Sequence, residues 1–461
     1  MVGWRAELVG RSLAARGARA KELIGGDTGV PRLGSLVRVV KVGVGPDVAE
    51  FRRRGGGNLQ GLVLCWGVHR ARNRSVRFGR TCPLLASSQR KRDDGRIRPS
   101  VSRGDEAARE PAYQRFLTKY FLTVVIICGL SVCGSLFQAG TLQCFLVSWA
   151  VVATFGRWAV PKMGGLKQSF QGDGPDHATK EGTPTAGGIF FVPIGLAVGL
   201  AHAWPTAEGQ KALLLGVVLC TLCCGIIGAA DDYLIVTKET NRGLSPRVKL
   251  LFQAITGFAF CFLAYLSNYG QIREAIPVLK EFRVLYLLSS SILIAGESNA
   301  VNLTDGVDGL ASGLFAIAAI GLAATLSSPP HLSPSLALLC AAMSGACCGF
   351  LEHNGNPAKV FMGDTGSLAL GAFLASVAVG TGCILPFLLL TMVFNLEMLS
   401  VILQVGYFKW TKAKCGVGRR LFKMAPFHHH LERCSWSERS IVLAFYAFAV
   451  SLLAGNLVLP V

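Results

Sequence analysis

Residues 213–232 read Leu213-Leu-Leu-Gly-Val-Val-Leu-Cys-Thr-Leu-Cys-Cys-Gly-Ile-Ile-Gly-Ala-Ala-Asp231-Asp232. The apolar part suffices to cross the hydrocarbon core of a bilayer, which is about 30 Å thick at about 1.5 Å per helical residue. It ends on two adjacent carboxylates, which repel each other and are costly at a membrane boundary unless a cation or basic partners face them. One stretch therefore sets two expectations: a membrane-spanning helix, and a charged site at its end.

Working outward, the same kind of run recurs. Of the 461 residues, 51% are hydrophobic, and the mean hydropathy of +0.46 is high for a soluble domain. Candidate spans lie near 117–137, 141–160, 186–204, 211–230, 248–269, 284–300, 308–327, 334–351, 366–381, 384–406 and 439–459. The fold expected is an all-α polytopic membrane protein of about ten, at most eleven, transmembrane helices. Residues 111–461 form its catalytic domain.

Ahead of the spans, residues 1–110 carry 23 Lys/Arg against 10 Asp/Glu, a large share of the net charge of +19. This Arg- and Gly-rich stretch has neither sustained helical periodicity nor the long apolar core of a secretory signal. An organelle transit extension fits it better than a nucleic-acid arm. Of the fifteen cysteines, eleven lie between Cys128 and Cys383, in or beside the apolar segments. They read as small packing residues, not as a disulfide framework or a zinc site.

The connections carry more information than the helices. Segments 161–185, 231–247, 301–307, 352–365 and 407–438 hold nearly all the polar signatures, and they are alternate connections. In a helical bundle they emerge on one face of the membrane. That face is also the basic one, through Lys162, Lys167, Lys180, Lys238, Arg242, Arg247 and the cluster from Lys409 to Lys423. The bias of positive charge toward the inner side puts it on the cytoplasmic side, or the stromal side of a plastid.

Each loop has a chemistry. Lys180-Glu-Gly-Thr-Pro-Thr-Ala-Gly-Gly188 sets Thr185 beside a helix start, where phosphate is attracted by free N–H groups. Asp231-Asp232 is followed by Gly243-Leu-Ser-Pro-Arg247 and Lys249, cations suited to phosphate. In Asn299-Ala-Val-Asn302-Leu-Thr-Asp305-Gly-Val-Asp308, polar residues recur every third position along one side of a helical turn. Acids with amides there suit an oxygen-rich magnesium site or a hydroxylated ligand, although Asx-rich capping uses the same residue types. Asn354-Gly-Asn-Pro-Ala-Lys-Val-Phe361-Met-Gly-Asp364 places an acid for a metal between glycines, with Phe361 able to stack on a nucleobase. Three consecutive histidines, His428, His429 and His430, cannot easily share one ion, so hydrogen bonding to phosphate or orientation of the acids fits better than zinc. Together the loops supply what phosphoryl transfer needs.

In order and spacing these motifs, with Gln404–Lys409 and Phe422–Glu432, resemble the MraY family, the phospho-N-acetylmuramoyl-pentapeptide transferases among the polyprenyl-phosphate N-acetylhexosamine-1-phosphate transferases. The resemblance covers about 142–461. It implies transfer of phospho-MurNAc-pentapeptide from UDP-MurNAc-pentapeptide to undecaprenyl phosphate or a similar carrier, forming lipid I and UMP with Mg2+ as cofactor. By motif position it implies Asp231, Asp232 and Asp364 as essential acids, with Asp231 favoured for activating the lipid phosphate. Asp364 and Asp305 are the metal candidates. It puts Asn299, Asn302, Asp305 and Asp308 in the nucleotide cleft, Asn354 and Phe361 at the uracil, and Lys180, Thr185, Lys249 and His428 to His430 on the rest of the active surface. One departure stands out: bacterial members carry Lys where this chain has Ile235.

The basic extension suggests a plastid version in the inner envelope membrane with a stromal active site, the alternative being a plasma membrane with a cytoplasmic one. Expected partners are the two substrates and membrane lipid, with no nucleic acid and a homodimer left open. The nearest competing reading is a sister enzyme moving GlcNAc-1-phosphate to a polyprenyl or dolichyl phosphate. The ending His428-His429-His430-Leu-Glu432 argues for the muramoyl type. A secondary transporter would carry its ionisable residues at mid-membrane, whereas these cluster at one surface.

Overall fold

The computed structural model of the chain describes residues 139–166, 182–238, 243–275 and 283–458, with a short helical stretch at 122–127 and isolated positions up to 137. The helices are α1 (Thr141–Ala159), α2 (Gly188–Ala203), α3 (Lys211–Lys238), α4 (Pro246–Ala275), α5 (Arg283–Thr304), α6 (Leu310–Thr325), α7 (Pro334–Asn354), α8 (Gly363–Thr381), α9 (Ile384–Leu390), α10 (Met392–Cys415), α11 (Phe427–Glu432) and α12 (Glu438–Val458).

Among the described residues, eight helices are long and apolar enough to cross a membrane, and the pair α9 and α10, bent by 71° at Thr391, makes a ninth if taken as one span. The all-helical membrane fold is as expected; the described residues do not confirm the expected total of ten or eleven. Helix α6 has only 16 residues, about 24 Å of helix. It needs no lipid-facing length, because Leu310 to Ala324 are all buried within the bundle. Most of the candidate span 117–137 and the whole basic extension 1–110 lie outside the described residues.

Helices α6, α7 and α8 are apolar all round and buried nearly all round, which makes them the centre of the bundle. Helix α8 packs on α3, α5 and α2, and α7 packs on α1, α2 and α6. Water does not drive helices together inside a bilayer, so close approach through small residues does much of the work. Gly228 of α3 is such a point: a β-carbon there would overlap the Asp364 carbonyl at the start of α8. This contact seats the two acids of α3 beside the third. We expect Gly228→Leu to lower stability by about 1–3 kcal/mol through overpacking, read as a drop in thermal midpoint in detergent, with turnover falling alongside.

Three boundaries differ from the sequence reading, each for a physical reason. Asp231 and Asp232 lie inside α3, which continues to Lys238, because partners from neighbouring helices satisfy both carboxylates. Asn299 and Asn302 belong to α5, which ends at Thr304, so the helical register of the polar series breaks before Asp305. The span expected at 384–406 is broken at Thr391, and its second half runs on to Cys415. The cysteines described are free, in keeping with packing roles.

Candidate active site

The acids of α3 and α8 meet at one end of the bundle. Asp231 accepts the Leu244 N–H at 2.7 Å, and its other oxygen lies 3.2 Å from Lys249 Nζ. The same ammonium is paired with Asp364 and donates to its Oδ2. Lys249 thus stands between two carboxylates that would otherwise repel. The second oxygen of Asp364 accepts from Asn302 Nδ2 at 2.7 Å, and that amide also reaches Ser367 Oγ at 2.9 Å.

Asp232 is used differently. Its carboxylate accepts the Asp364 N–H at 3.0 Å, the Thr365 N–H at 3.0 Å and the Thr365 hydroxyl at 2.6 Å. It satisfies the free N–H groups that begin α8, a task usually done by a residue of the helix's own chain segment. Gly363 permits this, having a φ of 71° and standing so close to Asp232 Oδ2 that a β-carbon would be tighter than ordinary contact. The geometry gives Asp232 the placement of Asp364 as its work.

Beside the acids lies a cavity of about 310 Å3, within the range of small-ligand sites. Asp232, Asp364 and Asn302 form one wall; Asp305, Asp308 and His429 form another; Thr185, Asn354 and Phe361 complete it. Ile235 lines it as well, one turn beyond the acid pair on α3, while Lys238 is exposed at the helix end. Residues from five separated stretches of chain therefore converge at one end of the bundle, as the alternation of connections required.

Not every expected residue reaches the cavity. Asn299 does not line it: its amide donates to Gln253 Oε1 at 2.8 Å and to the Ala295 carbonyl at 2.7 Å. Asn354 does line it, but its polar atoms are engaged within the protein. Its oxygen accepts from Gly309 N–H (3.2 Å) and Ser312 Oγ (3.0 Å), and its nitrogen donates to the Val360 carbonyl at 3.0 Å. It ties the two cavity loops together. Asp308 Oδ2 likewise accepts from Ala358 N–H (3.0 Å) and Asn356 Nδ2 (3.3 Å). Lys180 lies outside the described residues.

The three histidines separate. His429 lines the cavity, with Nδ1 2.6 Å from Glu432 Oε2. His428 is fully buried behind it, its ring centre 4.2 Å from that of His429. Burial holds the His428 imidazole below its ordinary pKa, against the opposing pull of Glu397, so the ring favours its neutral form near pH 7. His430 packs between Phe422 and Phe427 and accepts the Lys423 N–H at 3.2 Å; it does not line the cavity.

The sequence reading missed Glu397, Asn356, Arg439 and Tyr446. Arg439 donates to Asn356 Oδ1 at 3.2 Å, and Tyr446 donates from its hydroxyl to the Gly309 carbonyl at 2.7 Å, so α12 braces both cavity loops. Only Glu397 left a signal, a lone acid within an apolar run.

Known proteins similar to this chain identify its family. The family described as Glycosyl transferase family 4 matches residues 214–382. A phospho-N-acetylmuramoyl-pentapeptide-transferase of Acaryochloris marina is 47% identical over 313 residues, 67% of this chain and 83% of that protein. The chain belongs to the phospho-N-acetylmuramoyl-pentapeptide-transferase family. Other members include those of Picosynechococcus sp., 45% identical over 319 residues (68% of this chain, 85% of that protein), and of Rippkaea orientalis, 40% over 348 residues (73% and 93%).

In this family member the donor set also suits magnesium. Asp364 and Asp305 line one cavity, and the Asp231–Asp364 pair is already built around a positive charge, that of Lys249. Among the described residues no three acidic, cysteine or histidine side chains form a cluster able to hold a metal by themselves. Magnesium commonly takes one or two carboxylates and completes its shell with water and substrate phosphate, so an open set of this kind fits it.

Proposed function

We propose that this integral membrane protein transfers phospho-MurNAc-pentapeptide from UDP-MurNAc-pentapeptide to a polyprenyl phosphate of the undecaprenyl type, forming lipid I and UMP for peptidoglycan synthesis. The observation that carries the reading is the meeting of Asp231, Asp364 and Lys249 at the rim of a cavity walled by Asn302, Asp305 and His429. In the reaction, an oxygen of the carrier phosphate forms a bond to the sugar-bearing phosphorus, and the bond from that phosphorus to the UMP oxygen breaks.

The residues divide this work. Asp231, in contact with Lys249, takes up the proton of the carrier phosphate so that its oxygen is free to attack. Lys249 and Asn302 hold the carboxylate of Asp364 from two sides, and Asp232 fixes the backbone beneath it. Phe361 and Thr185 form the nucleoside and phosphate side of the cavity, and His429 faces the transferred phosphate. Magnesium, held by Asp364 and Asp305, would supply charge neutralisation on the diphosphate. The stretch 1–110 and the cyanobacterial relatives support a plastid inner envelope membrane with the active face toward the stroma.

The test is a detergent-solubilised assay offering UDP-MurNAc-pentapeptide and UDP-GlcNAc separately, each with and without magnesium. Transfer with the muramoyl nucleotide alone, lost on chelation and regained on adding magnesium back, is the expected outcome. Transfer from UDP-GlcNAc instead would assign the chain to the sister reaction, and transfer undiminished by chelator would remove the metal.

A further inference from the structure

Helix α10 carries Glu397, Gln404 and Thr411 at intervals of seven residues, two helical turns apart on one face. All three accept backbone N–H groups from the segment that leads to the histidines. Thr411 Oγ accepts from Arg419 at 2.8 Å, and Gln404 Oε1 accepts from Leu421 and Phe422, both at 2.9 Å. Glu397 accepts from the His428 N–H at 3.1 Å and 3.4 Å through its two oxygens. The segment therefore runs back along α10, pinned at three heights.

The chemistry at each height matches what the segment presents. At Gln404 it offers two N–H groups and one carbonyl, and the amide answers all three, its nitrogen donating to the Phe422 carbonyl at 3.2 Å. At Glu397 the His428 backbone N–H points to both oxygens, and the ring Nδ1, a donor in one of the two neutral tautomers, lies 3.3 Å from Glu397 Oε2. A carboxylate accepts at both oxygens, whereas an amide would turn an NH2 group toward one of these donors. Both side chains are buried, Glu397 1% and His428 0% exposed, so a mismatch there is not relieved by water.

In the tautomer that carries its proton on Nδ1, the ring donates toward Glu397 and keeps its lone pair on Nε2, which faces Gly306. Gly306 follows Asp305 directly, and a β-carbon there would run into the His428 ring and lie 3.2 Å from His429 Nε2. The His428 ring is thus wedged between Glu397, the turn that carries Asp305, and the His429 ring.

Building on the transferase reading above, we propose that Glu397 is a positioning residue for the reaction. From the broken span it fixes the ring of His428, and through that ring it sets the places of His429 and the Asp305 turn in the cavity wall. The expected effect of misplacing such groups is roughly ten- to a hundredfold in rate.

The test is a double-mutant cycle on the full chain, with thermal midpoint and size-exclusion profile measured for every variant. We expect E397Q to lower kcat roughly ten- to a hundredfold while the chain still folds and elutes like wild type, with only the modest drop in thermal midpoint that the buried mismatch brings and a KM for the nucleotide close to wild type. H428Q, which removes Nδ1, should lose a similar factor. The double variant E397Q/H428Q should be no slower than H428Q alone, since Glu397 acts through that ring. Losses that multiply in the double variant, wild-type turnover by E397Q, or a loss that only follows a fallen midpoint would each overturn the role. Should E397Q fail to fold, E397D, which withdraws the carboxylate by one methylene, takes its place in the cycle with the same expectation. Absence of transfer by the wild-type chain in this assay would instead overturn the reaction itself.

Discussion

Asp364→Asn should lower transfer by about a thousandfold while the protein still folds, extracts in detergent and melts close to wild type. The substitution changes charge at constant shape. Its Oδ1 position can still accept from Asn302, and the backbone N–H of residue 364 still reaches Asp232, so the start of α8 is kept. What goes is the negative charge that pairs with Lys249 and would meet magnesium and the nucleotide diphosphate. Steady-state kinetics with purified variant and wild type, beside a thermal melt, measures both sides. Normal turnover by a folded variant would take Asp364 out of the mechanism and with it the metal assignment.

Asp231→Asn is expected to cost a comparable factor in kcat but to leave nucleotide binding nearly intact. Asp231 does not line the 310 Å3 cavity; it joins the site through Lys249. The neutral amide can still accept the Leu244 N–H, so the turn after α3 is preserved. Loss is therefore expected in the step that readies the carrier phosphate, where a general base contributes about 10^2–10^4-fold. Calorimetric titration with UDP-MurNAc-pentapeptide should give a Kd within about threefold of wild type, a difference under about 1 kcal/mol. If binding vanishes together with turnover, Asp231 belongs to the nucleotide site and the carrier phosphate must be activated elsewhere.

Much of this was legible in the chain itself. Apolar runs of spanning length at 141–160, 211–230 and 334–351 appear as helices near those bounds, because hydrocarbon leaves a backbone no alternative to internal hydrogen bonding. Counting connections was enough to bring Asp231, Asn302, Asp305, Asp364 and His429 to one end of the bundle, since a helix that crosses must deliver its next loop to the opposite side. Composition and motif order, not geometry, determined the membrane class, the common face of the polar loops and the residue types gathered there.

Only the tertiary structure decided what each of those residues does. Adjacent Asp231 and Asp232 look equivalent in sequence, yet one faces an ammonium and the other a helix start, because α4 supplies the Lys249 beside Asp231 and α8 the N–H groups at Asp232. Neighbouring His428, His429 and His430 part into a buried ring, a cavity wall and an aromatic contact. Asn299 turns to Gln253, and Glu397, outside every motif, turns to His428. Hydropathy and spacing describe a residue's relation to its own helix, whereas these roles depend on atoms from helices distant in sequence that approach within about 3 Å once small residues such as Gly228 let the backbones close.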